Sequence, residues 1–292
     1  MTMCVLVILV YALLIQPWFL KWGATDEEIR GLWPGDDLIP GSSIVYTRAI
    51  TIKASPSEIW PWLVQIGQGR GGFYTYELLE NMLSADIHNA DRIVPEWQQL
   101  KVGDKVMMGP KEGVWGNASN IVGEIVPGTS LVLITPGKST TKVAAIHGNG
   151  TWAFILVPVD EKTSRLIIRG RRMESQGQAI NLLYGSVMDS AQFIMERKMM
   201  TGIKERVEGT IQSQIDDIAQ VLLWMVAFVG LILAMVLVIV QKKWKWPLIV
   251  ALAALFIFWF LCFLQPPIVQ GIVLDSAILL ALARVIWASF ST

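Results

Sequence analysis

Tyr74, Glu77 and His88 fall within fifteen residues of one another, with Arg48 and Arg70 upstream. Such side chains can pair an acid with a base and hold a cation beside a carbonyl oxygen, which is what proton-transfer chemistry at a carbonyl requires. In that reading Tyr74, His88 or Glu77 moves the proton, and Arg48 or Arg70 polarises the carbonyl. Each residue also has a plainer role. A buried arginine is costly unless paired, so Arg48 and Arg70 meet either an anionic headgroup or a buried carboxylate. Asp86, His88 and Asp91 are metal-ligand types, but a lone histidine among hydrogen-bonding loop residues more often holds its loop together.

Two histidines and two cysteines form no cluster at zinc-ligand spacing, so neither a metal nor a cofactor is expected. Gly67-Gln68-Gly69-Arg70-Gly71-Gly72 matches the dinucleotide pattern G-x-G-x-x-G, yet it follows a helix start where that fingerprint needs a strand. It reads as a turn. No serine, cysteine or histidine arrangement offers a nucleophile with its base. Trp62, Tyr74, Tyr76, Trp115 and Trp152 would instead supply an apolar wall with polar tips, as ligand pockets commonly have. Met195 and Met199 lie on a stripe with Met188, Ala191, Ile203 and Val207 along a helix over 186–208, which reads as core or as an adaptable cavity wall.

The elements that position these residues follow from periodicity. Residues 44–54 alternate, which puts Tyr46, Arg48, Ile50 and Ile52 on one face of a strand, so Arg48 points inward. Ser55-Pro56-Ser57-Glu58 is a capping box that starts a helix through Trp60 and Trp62. A short helix over 76–83 follows, then strands near 104–109, 119–126, 130–135, 141–147, 150–159 and 164–173, separated by glycine- and proline-bearing turns.

The rest of the chain is written for lipid. Hydrophobic residues make up 53% of it, and 24 basic side chains balance 24 acidic ones, so nothing points to nucleic acid. Apolar runs at 217–240 and 248–264 are each long enough to approach or cross a hydrocarbon layer of about 30 Å, and a third at 268–290 contains Asp275 and Arg284 on opposite helix faces. Residues 3–20 read as an uncleaved N-terminal anchor and 21–44 as a connecting segment. The loop Gln241-Lys242-Lys243-Trp244-Lys245-Trp246 carries three lysines, which predicts a cytoplasmic loop and leaves 21–218 extracytoplasmic.

Residues 45–212, one strand, two helices, six strands and a long closing helix, resemble the helix-grip fold of the START/birch-pollen-allergen superfamily, also called SRPBCC, in a likeness that covers about 21–208. The likeness is carried by Lys21-Trp22-Gly23-Ala24-Thr25-Asp26-Glu27-Glu28, Pro34-Gly35-Asp36-Asp37, Trp60-Pro61-Trp62-Leu63-Val64-Gln65, Gly69-Arg70-Gly71-Gly72-Phe73-Tyr74, Asp86-Ile87-His88, Asp91-Arg92-Ile93-Val94-Pro95 and Phe193-Ile194-Met195-Glu196-Arg197-Lys198-Met199-Met200. These runs are similar to a largely uncharacterised bacterial, membrane-anchored subgroup. The resemblance implies an α+β domain with an antiparallel sheet around a long helix and an internal apolar cavity, tethered in a bacterial cytoplasmic membrane. It implies a lipid or other hydrophobic small molecule as ligand, with Arg48, Trp62, Arg70, Tyr74, Tyr76, His88, Trp115, Trp152, Met195 and Met199 as cavity residues. A polyketide cyclase-like enzyme in the same cavity and a membrane scaffold are the alternatives.

Overall fold

A computed structural model describes residues 9–42, 44–112, 118–136, 150–173 and 179–290, the side chains of 179–185 and 289–290 excepted. Two compact units divide the chain after Ile211. In the first, strands β1 (Ile44–Ile52), β2 (Lys105–Met107), β3 (Ser119–Val126), β4 (Ser130–Thr135), β5 (Gly150–Asp160) and β6 (Thr163–Arg172) form an antiparallel sheet in the order β1-β6-β5-β4-β3-β2. The fold is α+β. Every strand expected between 104 and 173 is present except that at 141–147, which lies outside the described residues.

The sheet buries both faces, and period-two alternation assigns each side chain to one of them. Ile52, Leu131, Leu133, Phe154, Leu156, Leu166 and Ile168 join the larger core, closed by helices α3 (Pro56–Val64) and α5 (Ala179–Val207) through Leu63, Met199, Met200 and Ile203. The Ser55 box forms as expected, with the Ser55 amide donating to Glu58 Oε2 at 2.8 Å. A short α4 (Glu77–Met82) follows the glycine loop.

The other face carries Ala49, Val132, Ala153, Ile155 and Ile167, and it is covered by residues expected only to connect. Trp33 and Leu38 pack there, and helix α2 (Asp26–Arg30) is capped reciprocally by Thr25 and Glu28. Arg165 Nε and Nη2 donate to the two carboxylate oxygens of Glu28, each at 2.8 Å. Arg169 grips Asp36 the same way at 2.9 and 3.0 Å, and Arg171 lies 3.3 Å from the same carboxylate. The segment 21–41 is therefore part of the folded unit. Helix α1 (Tyr11–Leu20), the described part of the expected anchor, joins it too: Phe19 is fully buried and stacks on Phe193 of α5 at 5.4 Å.

The closing helix starts about seven residues earlier than its stripe predicts and carries Gly185 inside it. Its buried line also differs. Met188 is 40% exposed and Ala191 is exposed, whereas Asp189, Phe193, Glu196, Met200 and Ile203 are buried. Spacing of four, three, four and three residues makes that line one helix face. Two carboxylates can occupy it because Arg172 lies 2.5 Å from Asp189 and Arg48 pairs with Glu196.

The second unit holds α6 (Gln214–Val240), α7 (Lys245–Leu264) and α8 (Ile268–Phe290), all three long and apolar enough to cross a membrane. The Trp224 indole donates to Leu261 O at 3.0 Å, joining α6 to α7. Gly230 meets Ile278, and Gly271 meets Leu223, so closely that an added Cβ would lie 2.8 and 2.6 Å from them. Small residues at such crossings let helices approach in lipid. Asp275, near the same interface, is 3% exposed and neither carboxylate oxygen has a hydrogen-bond partner, while Arg284 is exposed, as opposite faces require.

Candidate functional site

Arg48 sits where β1's alternation aims it, toward α5, and is 1% exposed. Its Nη1 donates to Glu196 Oε2 in a buried ion pair, and its Nε donates to Phe19 O at 2.9 Å. The Tyr46 hydroxyl donates to Glu196 Oε1 at 2.6 Å, and the Gln192 amide donates to both Glu196 Oε1 and Tyr46 Oη at 2.8 and 2.6 Å. The guanidinium lies over the Tyr46 and Phe193 rings at 4.2 and 5.1 Å. Burial, with the Glu196 carboxylate adding to it, pushes the Tyr46 phenol well above its usual pKa, so it stays a neutral donor. Of the two roles open to Arg48, the buried carboxylate is the one realised. Its charge is closed off and free to polarise nothing else.

Tyr74 lies at the end of the glycine loop with φ 59°, a left-handed conformation uncommon for a residue other than glycine. Three contacts hold it. The Asn89 side-chain carbonyl accepts from its amide at 2.6 Å, the Arg206 guanidinium lies over its ring at 4.7 Å, and Gly202 of α5 packs so close that a Cβ there would collide with Tyr74 O. Its hydroxyl is buried and donates to Trp62 O at 3.0 Å, with the two rings in T-shaped contact. Burial raises its pKa, which makes it a poorer proton donor than an exposed tyrosine. The Asn89 side chain also accepts from Phe73 N and donates to Thr75 O, and its backbone amide donates to Glu77 Oε1, so residues 73–77 and 89 form one network.

Arg70 is bound to backbone carbonyls. Its Nη2 donates to Val64 O and Trp97 O at 2.8 and 2.5 Å, joining the end of α3 to the 95–97 turn. Gln65, fully buried, accepts from Val94 N and donates to Arg92 O, stitching the same segments together. His88 is 76% exposed at the surface, so it is not a cavity residue. Its Nε2 lies 3.5 Å from Asp86 and its Nδ1 3.9 Å from Glu77, and among the described residues no three such side chains are grouped as metal ligands.

Trp62, Tyr74, Tyr76 and Met199 are buried, and Trp152 and Met195 are half-buried; Trp115 lies outside the described residues. Trp152 packs its ring on Phe154 at 4.7 Å and Phe73 at 6.3 Å. The structure thus separates the candidates into an Arg48 centre, a Tyr74 loop and an aromatic inner face. Glu196, Gln192, Tyr46 and Asn89 are site residues that sequence reasoning misses. Only the repeat Asp189, Phe193, Glu196, Met200, Ile203 carries a signal for the first of them, and its acidic members make it look solvated.

No family model matches this chain, and no curated protein matches it. Solved structures that align with it include protein MLL2253 from Mesorhizobium loti, at 13% identity over 58% of this chain and 100% of that one, with a TM-score of 0.33. The Aha1 dimer from Colwellia psychrerythraea aligns at 14% identity over 57% and 98%, with a TM-score of 0.32. EF2215 from Enterococcus faecalis, a conserved protein of unknown function, aligns at 13% over 58% and 74%, with a TM-score of 0.32. TM-scores at that level carry no argument about this chain.

Proposed function

We propose that the first unit is a membrane-tethered binding domain of the START/SRPBCC kind, which takes a lipid or another hydrophobic small molecule against the inner face of its sheet. The observation that carries this reading is the closure of the reactive groups within an aromatic wall. Arg48 is neutralised by Glu196, and the Tyr74 hydroxyl is spent on Trp62 O, while Phe73, Trp152 and Phe154 present apolar surface beside them. A cyclase-like reaction would need a free proton donor and a free cation there, and His88 lies outside. Strand order and the long closing helix support the family assignment, and three apolar helices support a tether at the bilayer, the source of such a ligand.

Mass spectrometry of small molecules that co-purify with the full chain in mild detergent tests the reading. One apolar species, retained through successive purifications at a fixed ratio to protein, is the expected result; a repeatedly empty protein that also takes up no added lipid would overturn it. The lysine loop at 241–246 motivates an extracytoplasmic position for this domain. Protease added to spheroplasts of an expressing bacterium should digest it, and full protection while a known external domain is cut would reverse the topology.

A further inference from the structure

We infer that the ligand is neutral and offers a carbonyl oxygen, as in an ester, ketone or quinone, to the indole N–H of Trp152. The inference rests on the binding reading above and names the ligand's polar group. Trp152 stands in a row that crosses the inner face of the sheet, with Gly170 opposite it on β6 and Leu133 opposite it on β4. Gly170 in turn faces Tyr46 on β1 and carries the Tyr46 ring where its own side chain would be, for an added Cβ would run into that ring.

Nε1 of Trp152 is buried and has no hydrogen-bond partner. An indole can only donate, so a buried unpaired N–H loses its bond to water and gains nothing in return. Elsewhere the chain supplies acceptors for buried or half-buried indoles: Trp33 donates to Glu28 O at 2.8 Å and Trp224 to Leu261 O at 3.0 Å. The polar side chain in the row does not serve Trp152: Tyr46 Oη donates to Glu196 and accepts from Gln192, and Trp152 Nε1 reaches neither it nor any other acceptor among the described residues. An acceptor brought by the ligand completes the pair.

The same row argues for a neutral acceptor. Its members besides Trp152 are Tyr46, Gly170, Leu133 and, on β3, Val122, and the rings packed on the indole are Phe73 and Phe154. None of these balances a charge, and Arg48 is already paired. A carboxylate placed there would be desolvated without a counter-ion, whereas a carbonyl gives the indole its bond at no such cost.

The test uses the full chain in a lipid-free amphipathic polymer, with tritiated 2-tridecanone as probe and tridecane and dodecanoate as competitors. Saturable displacement by tridecane reads out hydrophobic binding alone. The ketone should bind roughly three- to tenfold more tightly than the alkane, the worth of one hydrogen bond, and dodecanoate should compete worst. Trp152→Phe should abolish the preference, so that ketone and alkane bind this variant with equal affinity. Equal affinity of ketone and alkane for the unaltered protein would overturn the inference and leave the binding reading standing, as would dodecanoate binding best. No saturable binding of any of the three would overturn both. The comparison on the unaltered protein decides the matter even if the Trp152 variant fails to fold.

Discussion

On the outer face of the sheet, Arg165, Arg169 and Arg171 are met by Glu28 and Asp36 and keep some contact with solvent, their side chains being 19, 8 and 18% exposed. On the inner face Arg48 is 1% exposed and meets a carboxylate that is 2% exposed. Both arrangements tie the sheet to a segment distant in sequence, but they do so under different dielectric conditions. Charges that keep water nearby attract each other weakly and lose little when parted, whereas a sealed charge that loses its partner has nothing to replace it. The inner pair should therefore be the more demanding feature of the fold, and the outer pairs the more tolerant latch.

Removing one half of the inner pair is the strongest way to break this comparison. Glu196→Ala should cost about 3–5 kcal/mol in chemical denaturation, since Arg48 is left buried and unpaired. The double variant Arg48→Met, Glu196→Leu should regain most of that loss, because no ion then remains to desolvate. A single variant as stable as the parent would show that the inner pair is reached by water. On the outer face, Asp36→Ala takes the shared carboxylate from two arginines that are partly buried and should cost about 1–3 kcal/mol. Glu28→Ala, farther toward solvent, should cost under about 1 kcal/mol, and that cost should shrink in high salt. Reversal of this order would sink the contrast between the faces.

Glu80 sharpens the comparison as a carboxylate without an arginine. Its Oε2 is buried with no hydrogen-bond partner, and burial, with Glu77 nearby adding to it, pushes its pKa up to about 7. A carboxyl raised in the folded state holds its proton more tightly than in the unfolded chain, so its ionisation works against folding. The penalty is absent below its ordinary range near 4.5 and grows as pH rises through 7. Melting temperature should accordingly fall between pH 5 and pH 8 by a few degrees, and Glu80→Gln should flatten that fall. A parent profile that rises over the same interval would assign the dominant titration to another group.

Local features are legible in the order of residues alone. Period-two runs locate the strands of β1 and β3 to β6 to within a residue or two, Ser55 to Glu58 announces α3, and uninterrupted apolar runs announce α6, α7 and α8. Each of these depends on residues a few positions apart. The inward aim of Arg48 is legible for the same reason, since strand alternation alone decides it.

What the tertiary structure decided is who answers whom. Glu196 stands 148 residues from Arg48, Arg165 stands 137 from Glu28, and Asn89 reaches back to hold Tyr74 in a left-handed conformation. No local period encodes a pairing across such distances. A lone buried charge is too costly to leave unmatched, so the sequence announced that Arg48 needed a partner; only the packing of α5 across the sheet chose Glu196, and in doing so turned a candidate catalytic cation into a closed ion pair. The segment 21–41 shows the same division. Its acidic residues are visible in the sequence and their spacing is ordinary; β6 alone, by presenting three arginines on one face, supplies the positions where Glu28 and Asp36 bind them.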